Sequence, residues 1–407
     1  MRQSLFLSFL LFLLLIPFSV SANHTIMVVS DLHYCSPSLY EGSDLFLRSI
    51  AQGDGKMVHK SDVLLDALLQ QTQQIRPDVL LLTGDLTFNG EAVSHQELAQ
   101  HLDLLADQGI AVFVIPGNHD INCRAARAFQ GNSYTAADTV EAKEFRRIYH
   151  RFLGTITQDN IGISYTSAPY PDLVLCMLDC AFYEPDAYAF GLLDEARYAW
   201  LQNVLNETDL DRCFFLSATH HSVIPHSSLG KENFVILNAE RIAGALRAHH
   251  VPLHLSGHLH IQHIAEESGL YDIASGAFSV FPHRYGLITV DDSHSVSYQA
   301  LPLDETLLPS GFIQESEQWF RNTTRIKTEP ALDALNISGP DKEIMLQYAE
   351  DLNLAYFSGT LVSGDAAWKE HEGYRLWMEY ADRLAFGQYL NLILSEAGTS
   401  SLMLNLP

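Results

Sequence analysis

One pattern, repeated five times, constrains the fold more than any other feature: a short apolar run ends and histidine, aspartate or asparagine follows at once. Residues 110–115 are the clearest case. They are apolar and rich in β-branched side chains, as a strand buried on both faces should be. The run stops at Pro116-Gly117 and delivers Asn118, His119 and Asp120. Residues 25–29 lead into Asp31 and His33, and residues 78–83 into Gly84-Asp85. Residues 212–219 lead into His220 and His221, and residues 251–255 into Gly257-His258-Leu259-His260. In an open α/β sheet, chemistry gathers in the crevice beyond the carboxyl ends of the strands. Each segment alone has a bland reading: Gly-Asp is a common turn, and a lone histidine after a strand is usually a hydrogen-bonded core residue. Together they supply carboxylate, imidazole and amide donors, a set suited to divalent ions.

Between these strands the spacing predicts helices. Leu64, Leu65, Leu68 and Leu69 recur at helical spacing behind Ser61, and Ser94 with Glu97 reads as a capping box for a helix stopped at Gly109. Alternating strand and helix implies right-handed crossover units. A mostly helical insertion is expected at 137–153, then a strand at 173–178, a helix at 193–205 and a helix capped by Asn238. Short alternating strands follow at 262–266, 270–273, 286–290 and 296–301, so two sheets should pack face to face with helices outside. From about Asp304 the texture changes. Residues 312–320, 343–357 and 366–395 read as helices, and their aromatic stripe, including Trp319, Tyr348 and Trp377, reads as core.

Residues 4–18 are almost continuously apolar behind Arg2, and Val20-Ser-Ala22 offers small residues for cleavage, the pattern of a secretory signal. The expected organisation is an export signal at 1–22, a catalytic domain at 23–303 and a C-terminal helical domain at 304–407. The mature chain is then secreted and keeps no stable membrane anchor. Its formal charge, −25 for the whole chain, repels polyanions and argues against a nucleic acid polymer or an anionic membrane as partner. A small phosphate ester stays compatible if bound metal supplies local positive charge, and no protein partner is evident. Five cysteines, an odd count, leave at least one thiol free; Cys35 and Cys123 each follow a ligand loop and could approach one another.

The five blocks, Asp31-Leu-His33, Gly84-Asp85, Gly117-Asn-His-Asp120, His220 and Gly257-His-Leu-His260, resemble those of the calcineurin-like metallophosphoesterases, over roughly residues 24–301. The resemblance implies an α/β fold, a four-layer α/β/β/α sandwich, holding two divalent ions (manganese, iron or zinc). Asp31, His33, Asp85 and His260 would take the first ion. Asp85 would bridge to a second, completed by Asn118, His220 and His258, with His220 preferred to His221. Phe88 stands where purple acid phosphatases place a tyrosine, so their ferric chromophore is not implied. The acidic exported chain, the turn Asp54-Gly-Lys56 and the helical C-terminal region further resemble secreted bacterial cyclic-nucleotide phosphodiesterases of this superfamily, which end in a small all-α domain.

Spacing supports the division of roles. Neighbouring side chains diverge in an extended segment, so Asn118 can ligate while His119 faces substrate. His258 and His260 are separated by one residue and can both point inward. Two ions about 4 Å apart would lower the pKa of a water between them and clamp phosphoryl oxygens for in-line attack. His119, oriented by Asp120, would protonate or stabilise the leaving oxygen. The expected reaction is hydrolysis of a small diester such as a 3′,5′-cyclic nucleotide. The alternatives are a phosphomonoesterase or a lipid or cell-wall phosphodiesterase on the same scaffold, and, more remotely, a non-catalytic binding protein.

Overall fold

A computed structural model describes residues 23–40, 42–154, 157–158, 162–183, 190–228, 234–398 and 401–407. The expected export signal at 1–22 lies outside the described residues. The strands are β1 (His24–Val29), β2 (Val79–Leu82), β3 (Ala111–Val114), β4 (Arg127–Gln130), β5 (Ser133–Ala136), β6 (Thr157–Gln158), β7 (Tyr165–Tyr170) and β8 (Leu173–Met177). They continue as β9 (Phe214–Ala218), β10 (Leu253–Ser256), β11 (His263–Glu267), β12 (Leu270–Ala274), β13 (Arg284–Val290), β14 (Val296–Pro302) and β15 (Met403–Leu406).

One sheet runs β15-β14-β13-β1-β2-β3 and the other β11-β12-β10-β9-β8-β7-β6. The first three strands are parallel, with Ile26 opposite Val79 and Leu82 opposite Val114. All four residues of β2 are buried, as the continuous apolar run requires. The second sheet shows a period of two instead. Leu173, Leu175 and Met177 of β8 join the cluster shared with the first sheet, while Cys176 and Val174 face the other way. The two sheets therefore pack on each other.

Helices cover both outer faces. On the first sheet lie α2 (Ser61–Ile75), α3 (Ala92–Ala106) and α4 (Ala142–Ile148), of which α2 and α3 bury Leu64, Leu68, Leu98 and Leu102, while α1 (Asp44–Ile50) packs in a separate cluster with Cys35, Tyr40 and Val58. On the second lie α5 (Glu195–Glu207) and α6 (Ala239–Ala248), burying Leu201, Leu205, Ile242 and Leu246. This is the four-layer α/β sandwich.

The C-terminal region is helical: α7 (Phe312–Ala334), α8 (Gly339–Phe357), α9 (Ala367–Glu370), α10 (Glu372–Glu379) and α11 (Ala385–Glu396). Around Tyr348 and Trp377 they form their own apolar core. Two local expectations need correcting. Helix α7 runs on past residue 320, where apolar periodicity fades, because buried Thr323, Thr324 and Thr328 line the continuation. The Thr323 and Thr328 hydroxyls donate to carbonyls four residues back, and Arg321 and Arg325 pair with Asp351 and Glu350 of α8. The last residues are not helical: β15 returns to pair with β14 as a four-residue edge strand.

Candidate metal centre

Beyond the ends of β1, β2 and β10 the backbone turns sharply. Asp31, His33, Asp85, His258 and His260 all have φ between 46° and 65°. Non-glycine residues seldom adopt that left-handed region, and they tend to cluster where function demands it. The curl matters because it lets residues two apart aim at one point. Loop-to-loop bonds hold it: Asp31 N donates to Gly84 O at 3.1 Å, His33 N to Asp85 O at 3.0 Å, and Gly257 N to His220 O at 2.9 Å.

Donor atoms of Asp31, His33, Asp85 and His260 lie within 4.8 Å of one another, and so do those of Asp85, His220 and His258. Nε2 of His33 and Nε2 of His260 face each other at 3.2 Å. Asp85 Oδ2 is 3.6 Å from His33 Nε2, and its Oδ1 is 3.3 Å from His220 Nε2. Asn118 Oδ1 sits 3.0 Å from that same His220 nitrogen, whose partner Nδ1 is anchored on Thr83 O at 2.9 Å. His221 turns to the Cys180 thiol, 3.4 Å from its Nδ1.

This donor set suits divalent cations. Two carboxylates, buried without compensation, would be protonated. Burial does push them up, yet His260 holds Asp31 below its usual range, and His220 with His119 hold Asp85 well below. In return the His220 and His260 rings, pushed down by burial, are lifted to about 9 by Asp85 and by Asp54 with Asp31 respectively. A cation does the same work without those protons, freeing both rings as ligands. Asp31 Oδ1 is buried with no hydrogen bond, its charge faced at 3.3 Å by the His260 ring, the place an ion would take. The His258 ring, at about 3 chiefly through burial, is already in the neutral form that binds metal.

His119 is half-buried, and its Nδ1 meets Asn89 Oδ1 at 3.0 Å. The expectation that Asp120 orients it is corrected here. Both Asp120 oxygens are taken by other partners: Gly117 N at 2.8 Å, Leu86 N at 3.0 Å, and the backbone and hydroxyl of Thr87 at 2.9 and 3.0 Å. Asp120 therefore staples the 117–120 loop to the 85–87 loop, and Asn89 steadies the histidine. Ser94 and Glu97 are also reassigned. The helix starts earlier, at Ala92, and the two side chains instead accept from Ser36 N and the Tyr34 hydroxyl. Sequence spacing missed Asn89 and also Asp54, whose Oδ2 accepts a hydrogen bond from His260 Nδ1. All five cysteines are free and buried; Cys35 and Cys123 are not bridged.

Gly117 explains itself by space. A Cβ there would lie 2.2 Å from Asp85 Oδ1 and 2.3 Å from Asp85 N. Gly117→Ala should displace the Asp85 carboxylate, lowering the metal content of the purified protein and cutting turnover about 10–100-fold, the scale of lost ligand support. Emission spectroscopy and turnover measure both; native values for each would mean that the loop yields harmlessly.

Residues 24–262 match the calcineurin-like phosphoesterase family, and residues 306–400 match the C-terminal domain of cyclic nucleotide phosphodiesterase. A "Probable cyclic nucleotide phosphodiesterase" of Vesicomyosocius okutanii is 25% identical over 224 residues, 55% of this chain and 78% of that protein. A protein of the same description from Ruthia magnifica is 32% identical over 100 residues, 25% of this chain and 40% of that protein. Among solved structures, a dimetal phosphatase from Danio rerio aligns over 69% of this chain and 96% of its own, with 15% identity and a TM-score of 0.51. That likeness concerns the fold alone. Among the described residues, no helix is long and apolar enough to cross a membrane.

Proposed function

We infer the reaction from a premise that the comparisons establish: the chain belongs to the calcineurin-like phosphoesterase family. It is a metal-dependent phosphoester hydrolase, and the finer reading is a phosphodiesterase with a two-ion centre. The observation that carries this reading is the position of Asp85, whose two oxygens face different ligand groups, Oδ2 toward His33 and Oδ1 toward His220. Asp31, His33 and His260 would complete one ion's shell; Asn118, His220 and His258 would complete the other's. Ions bound there supply charge to polarise phosphoryl oxygens and to acidify an attacking water.

The chain's own residues do the rest. His119, half-buried and steadied by Asn89, stands beside the clusters where it can give a proton to the departing oxygen. Asp120 holds two of the ligand loops in register. A small diester of the 3′,5′-cyclic nucleotide kind is the substrate we favour, on the names of the two relatives and the match at 306–400. The apolar N-terminal run and the acidic surface fit an exported enzyme that meets such a diester outside the cytoplasm.

Hydrolysis of an aryl diester, an aryl monoester and cyclic nucleotides, each with added manganese, tests this reading. The diester should turn over faster than the monoester, and a cyclic nucleotide should be cleaved. Faster monoester hydrolysis would instead make the protein a phosphomonoesterase on the same scaffold.

A further inference from the structure

The ligand loops leave one neighbour unexplained, the turn before α2 that carries Asp54, Gly55 and Lys56. The Lys56 ammonium lies 3.4 Å from Asp54 Oδ1, and its side chain is only 14% exposed. Among the described residues that ion pair is its one polar contact. An ammonium has three donors, so most of its hydrogen-bonding capacity is unspent. Its position is tied to the metal-ligand cluster by geometry: the Asp54 carboxylate that meets the ammonium through Oδ1 accepts from the His260 ring through Oδ2.

Helix α7 grips this turn from outside. Gly55 has φ +89°, and a Cβ there would lie 2.6 Å from the Phe320 ring. Further along, the His59 ring packs on Trp319 at 4.6 Å, and Lys60 Nζ approaches Glu315 at 3.8 Å. Lys327, two turns beyond Phe320, lies within the field of both Asp54 and Lys56. Phe320 is itself buried with Ala277 and Val280, next to Ser279, which bonds to Asp31 O through its hydroxyl and accepts from Met57 N. On a chain of charge −25, an anionic substrate needs cations placed where it binds, and here the C-terminal helical region sets the place of one.

We propose that Lys56 binds a phosphate oxygen of the substrate, and that α7 fixes its reach by gripping the 54–60 turn through Phe320 and Trp319. The helical region is then a working part of the site. The proposal rests on the phosphoester reading above and adds to it a substrate-binding residue and a positioning element.

The test uses full-length, metal-loaded protein and inorganic phosphate as the probe. Calorimetry gives the phosphate affinity, emission spectroscopy the metal content, and an aryl diester the KM and kcat. Lys56→Ala should keep its metal and weaken phosphate binding about 10–100-fold, the usual scale for a lost charge-assisted hydrogen bond. The loss should fall mainly on KM. Phe320→Ala should weaken phosphate in the same direction, and the double variant should be no worse than Lys56→Ala, because both act through one ammonium. Should Phe320→Ala fail to fold, Gly55→Ala disturbs the same contact from the turn's side. Native phosphate affinity in Lys56→Ala, with wild-type diester turnover intact, overturns this inference alone. Losses that multiply in the double variant overturn the role of α7. A wild-type protein that cleaves no phosphoester overturns the functional reading first, and this one with it.

Discussion

Asp85→Asn should reduce turnover by at least about 10³-fold. Removing one preorganised donor at a reacting oxyanion already costs about 10²–10³, and Asp85 serves both ligand groups at once. Its Oδ1 also accepts His119 N at 2.9 Å, so the same carboxylate holds the loop that carries Asn118 and His119. An amide keeps the shape but carries no charge to offset a cation at either ligand group. The purified variant should therefore be depleted of metal in both positions and should not recover with excess manganese. Asp31→Asn, which alters only the first group, should retain part of the metal. A variant at position 85 with full metal and near-native turnover would mean that the two groups do not share this carboxylate.

The strand ends were legible in the sequence for a physical reason. A strand buried on both faces must be apolar throughout, so its last residue is visible as the point where polar side chains begin. In this fold the first polar residues after a strand are those that can reach the crevice. Asp31, Asp85, Asn118, His220 and His258 each follow a strand by two to four residues, and the structure brings all five together. Legibility ended where a side chain acts across a loop. Asp120 sits directly after His119 in sequence, which suggested a pair, but the backbone turns between them and gives the carboxylate to Leu86 and Thr87 instead. Asn89 and Asp54 reach His119 and His260 from 30 and 206 residues away, and nothing in local spacing announces either. Ser94 and Glu97 show the same limit. Their spacing fits a helix cap, and tertiary contacts with the 34–36 loop override it.

The fold's layers were legible through periodicity, and its irregular parts were not. The β4–β5 hairpin has exposed or half-buried side chains on both faces, so it carries no apolar signature, and residues 127–136 drew no strand prediction. Helix α7 is held beyond residue 320 by threonines and ion pairs with α8, interactions that hydrophobic spacing cannot register.

His119→Ala should leave the metal content unchanged and lower turnover about 10²–10⁴-fold, the usual contribution of a positioned general acid. The separation from the ligands is geometric. Asn118 and His119 are adjacent, and the Asn118 amide goes to His220 Nε2 while the His119 ring goes to Asn89. Burial lowers the ring's pKa, and Asp85 opposes that in part by favouring the charged form, while Lys56 adds to the lowering, so the net shift is downward. A ring that must start protonated to act as an acid gains from that carboxylate. The defect should shrink for a nitrophenyl ester, whose leaving group needs little protonation, and be largest for an alkoxide leaving group such as a ribose hydroxyl. Asn89→Ala should show a weaker version of the same dependence, because it removes one support of the ring and not the ring itself. A metal ligand would behave otherwise, losing metal and slowing every ester alike. If His119→Ala is depleted of metal and its defect is the same for both leaving groups, the histidine is a ligand and the proton must come from elsewhere.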